Sequence, residues 1–399
     1  MTSLDLITKE MDSLQGVNKM TEKFILGKDV FRNYGIELSN LITNQGQISV
    51  HEYKSHLGTE LNTIQYQNKR NFISKAKENK LYNTYFIQKA LCEKDWRYEK
   101  RYLSKIDINH LSDILFFQTP GTAFFYFRKI GTTKKKTIII SHADTDPLEQ
   151  LFISRKELVG TRYEEELRGR YKYVYERVDK VVTICSSSKE YMKSVYGIDA
   201  AMIINGIEDA PVSTIDNKYS SVDGKVHFVS VGSIITRKGF DIIVDAANKI
   251  KDKIKGKVVF HFIGTGKDID NIKKRIADYN LNDLFVIHGA LLDVSSELNK
   301  MDAFLFPTRS DTVPVSIIEA LRAGIPVFST HVGEIPNMIN DGAGELIEAT
   351  VESVEDCIKQ NCNGSYDLKK MGENARKKYE NCFTLEKMCT SYASIIQTI

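Results

Sequence analysis

Two doubly wound α/β domains are the architecture this sequence predicts, and three observations carry that expectation. The chain has 399 residues, beyond the roughly 250–300 at which a single hydrophobic core stops growing. Short β-branched runs alternate with longer helix-period segments, the pattern of strands buried under crossover helices. A stretch rich in Ser, Asp, Gly and Pro, Glu208 to Lys225, interrupts that alternation and reads as a linker. The expected division is therefore 1–208 for an N-terminal domain, 209–225 for the linker and 226–383 for a C-terminal domain. A final helix, 384–399, is expected to cross back to the first domain.

The elements follow in order. Leu4–Ile7 reads as a first strand, then a helical stretch from Val17 to about Tyr34. Asp113–Phe117, Thr137–Ser141 and Lys180–Cys185 are apolar on both faces, as parallel strands should be. The region Ile42 to Tyr102 mixes polar and aromatic residues and announces few elements. The second half is clearer, with strands at Val226–Val231, Val258–Ile263, Phe285–His288, Ala303–Pro307 and Ile325–Ser329. Helices are expected between them over Phe240–Lys251, Ile269–Tyr279, Val294–Met301 and Val315–Ala323.

Composition excludes several classes. A net charge of +3 lacks the strongly basic face of a nucleic-acid binder. Six cysteines form no C-x-x-C pair and match no zinc spacing, so reduced thiols and a cytoplasmic protein are expected. No signal-like segment follows Met1, and no apolar run reaches the roughly 20 residues that span a bilayer. A membrane-bound acceptor would be met at the inner surface; the basic patches Lys134–Lys136 and Arg168–Lys172 read as solvated surface, with contact to anionic lipid or a pyrophosphate-linked acceptor as the alternative.

One segment holds the densest chemistry. A buried strand ends at Pro307, a loop carries Asp311 and Thr312, and a helix opens near Val315 after Val313 and Pro314. Unpaired amides and the positive dipole end at Val315–Ser316 suit a diphosphate. Asp311 can accept from sugar hydroxyls, and Glu319, a turn further on, from the two hydroxyls of a ribose.

This segment resembles the E-x7-E motif of retaining GT-B enzymes of glycosyltransferase family 4, with Asp311 at the first acid and Glu319 at the second, eight residues on. Val231-Gly232-Ser233-Ile234-Ile235-Thr236-Arg237-Lys238-Gly239-Phe240-Asp241 is similar to that family's V-G-R-L-x-x-x-K-G-x-D segment. Phe262–Gly266, Val286–Gly289, Val332–Pro336 and Gly342–Gly344 complete the ordered set. The resemblance implies a GT-B fold, two Rossmann-like domains facing across a cleft. It implies a retaining, metal-independent hexosyltransferase using a UDP-sugar as co-substrate, with no cofactor. The sugar is N-acetylglucosamine or another hexose, and the acceptor a hydroxyl of a glycan, lipid-linked or protein-linked molecule. The resemblance also gives roles. Lys238 binds the diphosphate, with Arg237 beside it and Ser233 where the family has Arg. Gly264 lines the nucleotide pocket, and His288 and Gly289 present backbone to the base. In the N-terminal half, Gly16 matches the phosphate-facing loop and His142 the histidine that reaches the sugar or acceptor.

Two departures, Asp311 for glutamate and Ser233 for arginine, motivate an alternative: a non-catalytic GT-B subunit supporting a partner glycosyltransferase. Asp144-Thr145-Asp146 has the D-x-D form of metal-dependent transferases, but acids flanking Thr before Pro147 read as a turn, and no metal ligand is assigned.

Overall fold

The computed structural model describes residues 2–7, 48–53, 83–104, 114–210, 218–291 and 293–399. Gly16 and the helix expected over 17–34 lie outside the described residues. The chain divides into two compact units, Met1–Ile204 with Cys389–Ile399, and Asn205–Met388.

The first unit is built on a six-stranded parallel sheet in the order β2-β1-β3-β4-β5-β6. These strands are Thr2–Ile7 (β1), Ile48–Tyr53 (β2), Ile114–Phe117 (β3), Lys136–Ser141 (β4), Lys180–Thr183 (β5) and Ala201–Met202 (β6). Helices Tyr85–Ser104 (α1), Pro120–Ile130 (α2), Pro147–Ser154 (α3), Arg162–Tyr175 (α4) and Ser186–Tyr196 (α5) accompany it. Strands β3 and β4 are buried almost throughout because Ile, Leu and Phe occupy both faces. Trp96 on α1 sits edge-on to Phe124 and Phe125 of α2, at 5.3 and 5.9 Å between ring centres.

Arg168 and Arg170 are matched locally. Arg168 contacts Glu149 and Glu164, each at 2.7 Å, and Arg170 contacts Glu93 and Glu166. Their charge belongs to the fold of this unit. Asp146 also serves the fold, because its Oδ1 accepts from the Leu148 amide at 2.7 Å and caps α3. Burial raises its carboxyl to about 6, against the pull of that amide. An acid whose folded pKa is raised stabilises the fold fully below its unfolded value, near 3.9, and that contribution is lost as pH rises through about 6. Asp146→Asn keeps an equally good cap. Urea unfolding followed by Trp96, the single tryptophan, should therefore match the parent near pH 4 and exceed it by about 2–3 kcal/mol at pH 8. Equal gains at both pH values would refute the ionisation account.

The second unit carries a six-stranded parallel sheet in the order β12-β11-β10-β7-β8-β9. Its elements are Ser220–Asp223 (α6), Val226–Val231 (β7), Phe240–Ile254 (α7), Val258–Ile263 (β8), Ile269–Asp278 (α8), Phe285–Gly289 (β9) and Val294–Leu298 (α9). They continue with Ala303–Phe306 (β10), Val315–Arg322 (α10), Val327–Thr330 (β11), Ile335–Ile339 (α11), Gly344–Ile347 (β12), Val351–Cys362 (α12) and Leu368–Cys382 (α13); Leu385–Thr398 (α14) begins in this unit and ends in the first. All pairings are parallel. The strand order reverses between β7 and β10, so these two carboxyl ends open a topological switch point, where doubly wound sheets place ligands.

Two boundaries differ from those expected. Residues 205–208 belong to the second unit because Ile207 joins the Phe383–Leu385 backbone through two hydrogen bonds of 2.9 Å. The second half of the expected linker is not a free connection. The Tyr219 amide donates to the Lys300 carbonyl at 3.0 Å, Ser220 donates to Asp302 at 2.6 Å, and residues 220–223 form α6. Polar composition suggests a spacer, whereas these polar groups are paired along the second unit. The six cysteines are free thiols, and Cys185 is fully buried.

Candidate functional site

Lys238 is placed by a tight turn after β7. Thr236–Lys238 make one turn of 3-10 helix, and Gly239 enters α7 with φ 77°. A Cβ on Gly239 would lie 2.0 Å from the Pro307 carbonyl oxygen, so glycine is required where the β7 turn meets the end of β10. Asp268 anchors the turn by accepting from the Thr236 amide at 2.6 Å and its hydroxyl at 2.8 Å. The loop after β10 is tied on as well, the Arg309 amide donating to the Arg237 carbonyl at 2.8 Å.

These supports bring Lys238 and Asp311 together. Lys238 Nζ lies 2.5 Å from Asp311 Oδ2, and Arg237 Nη1 lies 3.1 Å from Oδ1. Thr308, fully buried, donates to Asp311 Oδ2 at 3.2 Å. Lys238 is only 4% exposed and its ammonium lies 5.1 Å from the centre of the Phe306 ring. Burial lowers its pKa, Asp311 opposes that, and the Arg237 charge adds to it. The group is a buried cation paired with the Asp311 carboxylate beside the end of a sheet strand.

The loop and α10 carry the remaining predicted residues. Thr312 is half-buried and its carbonyl accepts from the Glu334 amide at 2.8 Å. Val313 and Pro314 are buried, and Pro314 precedes α10 without a side-chain cap. Val315 and Ser316 form the first turn. The Ser316 hydroxyl is buried and has no hydrogen-bond partner among the described residues, at a helix start with no side-chain cap. Glu319 is half-buried one turn further along the same helix.

Gly232, Ser233 and Gly264 occupy the neighbouring strand ends. The Gly232 amide donates to Ile263 O at 2.9 Å and the Gly264 amide to Gly289 O at 2.7 Å. The side chain of His288 does not join this group: it turns along the sheet, its Nε2 2.9 Å from His261 Nδ1. The motif implies a role for the His288 backbone alone, because nothing local shows that β8 and β7 carry histidines on the same face. His142, in the first unit, follows β4 and its Nε2 lies 3.1 Å from Gln118 Oε1. Together with Trp96, Glu99 and Tyr171 it lines a cavity of about 320 Å³.

Three supporting residues are not legible from motif spacing alone. Arg309 grips Asp241 through two hydrogen bonds of 2.8 Å. Asp241 closes the K-G-x-D segment, so its partner is signalled only by an acid in a motif that wants a cation. Thr308 and Glu334 are buried polar residues whose role depends on the tertiary fold. A larger cavity, about 480 Å³ and lined by α7 and α8 residues, borders the Thr236 turn but holds none of Lys238, Asp311 and Glu319.

Residues 212–378 match the family model of glycosyl transferases group 1. That match lies within the second unit. The chain is 25% identical over 227 residues to an uncharacterized glycosyltransferase of Methanocaldococcus jannaschii, covering 55% of this chain and 60% of that protein. It is 24% identical over 300 residues to the putative colanic acid biosynthesis glycosyltransferase WcaL of Salmonella typhimurium, covering 72% of this chain and 70% of that protein. The fold is GT-B. It is that of the Anabaena protein HepE crystallised with UDP, at a TM-score of 0.64 over the full length of both chains and 12% identity. The matched span contains the switch-point pair Lys238–Asp311 and the start of α10. Among the described residues no helix is long and apolar enough to cross a membrane.

Proposed function

We propose that this protein transfers a hexose from a UDP-sugar to a hydroxyl acceptor with retention of configuration. The observation that carries the reading is the convergence, at the switch point of one sheet, of a buried lysine, a paired aspartate and a helix start with no side-chain cap, whose buried Ser316 hydroxyl has no partner among the described residues. Such a group suits a diphosphate: Lys238 supplies a compact positive charge, and the first turn of α10 supplies amides. Glu319 takes the ribose hydroxyls and Asp311 the hexose. Similarity to the UDP-bound Anabaena protein supports uridine as the base.

In the proposed reaction the bond from the sugar's anomeric carbon to the diphosphate oxygen breaks, and a bond to the acceptor oxygen forms on the same face. The acceptor's proton passes to a phosphate oxygen, so no protein nucleophile and no metal is invoked. Lys238 and the α10 amides stabilise the departing diphosphate. Asp311 exchanges part of its hold on Lys238 for sugar hydroxyls as the diphosphate takes up the lysine's charge. The acceptor is assigned to the first unit, where His142 lines its cavity.

Isothermal titration against UDP and a panel of UDP-sugars tests the reading. The expected result is one UDP site, lost in Glu319→Ala while the circular dichroism spectrum is unchanged. Undetectable UDP binding by the parent protein would remove the transferase proposal. The anomeric configuration of the product, read by NMR coupling, tests retention separately.

A further inference from the structure

His227, His261 and His288 stand on β7, β8 and β9, neighbours in the sheet, and their rings meet on one face. His227 Nδ1 lies 2.9 Å from His261 Nε2, and His261 Nδ1 lies 2.9 Å from His288 Nε2. At one end Asp223 Oδ1 lies 3.0 Å from His227 Nε2. At the other, Glu297 Oε1 lies 4.0 Å from His288 Nε2.

Counting donors and acceptors orients this row of rings. A neutral imidazole has one donor and one acceptor nitrogen. Because the Asp223 carboxylate can only accept, His227 donates to it from Nε2 and accepts at Nδ1. His261 must then donate from Nε2, which leaves a lone pair on its Nδ1. The space between His261 Nδ1 and His288 Nε2 holds a single proton. Carboxylate to imidazole to imidazole is the arrangement by which outer groups aim a metal-ligating histidine.

We propose that His261 Nδ1, His288 Nε2 and Glu297 Oε1 form a site for a divalent transition-metal ion of the zinc class. The three ligand atoms all lie within 4.8 Å of one another. Tetrahedral zinc, with bonds of about 2.0–2.1 Å, spaces its ligand atoms about 3.3 Å apart, so small side-chain rotations close the set. Two imidazoles and one carboxylate suit zinc, whereas magnesium and calcium take oxygen ligands. Lys300 holds the other carboxylate oxygen, Oε2, at 2.9 Å, and Oε1 accepts from the Tyr219 hydroxyl at 2.8 Å. A bound ion takes over the lone pair of Oε1 that the Tyr219 hydroxyl uses, and a water completes the four ligands. The Tyr219 ring stacks on His261 at 5.5 Å with planes 7° apart and shields that side from solvent. The bound ion replaces the shared proton and ties β8, β9 and α9 together. That tie ends next to Gly289, whose carbonyl holds the Gly264 amide. The site is independent of the transferase reading.

The test uses the full chain, stripped with a chelator and titrated with Zn²⁺ alone by calorimetry, and with Co²⁺ by visible absorption. The expected result is one equivalent of Zn²⁺ per chain, a higher melting temperature with Zn²⁺, and the strong d–d bands of four-coordinate Co²⁺. His288→Ala and Glu297→Gln should each weaken binding at least tenfold, and His227→Gln about 10–100-fold through the outer hydrogen bond. Glu297→Gln keeps the side chain's shape and serves if His288→Ala fails to fold. No uptake by the parent protein, or uptake unchanged in Glu297→Gln, overturns the proposal.

Discussion

Lys238→Ala is expected to lower kcat about 100–1,000-fold, the loss that follows removal of one preorganised group from a developing negative charge. The reason lies in where the ammonium sits. It is 4% exposed, 2.5 Å from its counter-ion, and fixed by a turn tied to Asp268 and the loop after β10. A cation already out of water loses no hydration when a diphosphate arrives, so its attraction is expressed in a low-dielectric setting. Arg237, still 3.1 Å from Asp311 Oδ1, keeps the carboxylate paired in the variant and preserves the fold. Lys238→Met, which keeps the apolar stem and removes only the charge, should lose activity to a similar extent. Initial rates of UDP release, beside thermal melting of each variant, check this. Turnover within threefold of the parent would remove Lys238 from the site.

The second large effect is on stability. Gly264→Ala should destabilise the second unit by about 3–5 kcal/mol, summing a strained backbone and an overpacked contact. Gly264 has φ 142°, and a Cβ there would lie 1.9 Å from the Gly232 carbonyl oxygen. That oxygen is backbone and cannot swing aside, and the Gly264 amide is committed to Gly289. Gly256→Ala is the control, since it also has a positive φ of 73° but nothing within 4 Å of its Cβ. It should cost about 1–2 kcal/mol. Urea unfolding followed by far-ultraviolet circular dichroism compares the two, and equal costs would show that the crowding contributes nothing.

The parts of the fold legible in the sequence are those buried on both faces. Strands β7, β8 and β10 are buried almost throughout and are apolar except at His227, Ser230 and His261, with helices α7 and α8 periodic behind them. Strand β12, Gly344–Ile347, stands at a sheet edge with only Ile347 buried, so its pattern carries little signal. The two-residue β6 is too short to show any period. Helix α1 is hidden because its aromatic and charged residues are interleaved; Trp96, Glu93 and Glu99 are explained only by partners on α2 and α4 and in the turn before α2. At the candidate site, Lys238, Asp311 and Glu319 are legible because motif spacing places them on a turn, a loop and a helix. Their mutual pairing is not, since Lys238 and Asp311 are 73 residues apart and meet only because β10 lies beside β7. The row of histidines is invisible for the same reason. Strand neighbours in a parallel sheet are set by crossover topology, which no local pattern encodes.

Helix α14 has a consequence for how the protein tolerates loss of its tail. It starts in one compact unit and finishes in the other, so the polypeptide passes between them twice. The first unit is therefore discontinuous, and its core borrows a ring from the far end of the chain. Tyr392, 2% exposed, sits edge-on to Phe116 of β3 at 5.5 Å. Clipping a few residues beyond Met388 would leave the second unit's own strands intact and open a void beneath the N-terminal sheet. Damage at one terminus would register in the opposite half of the sequence.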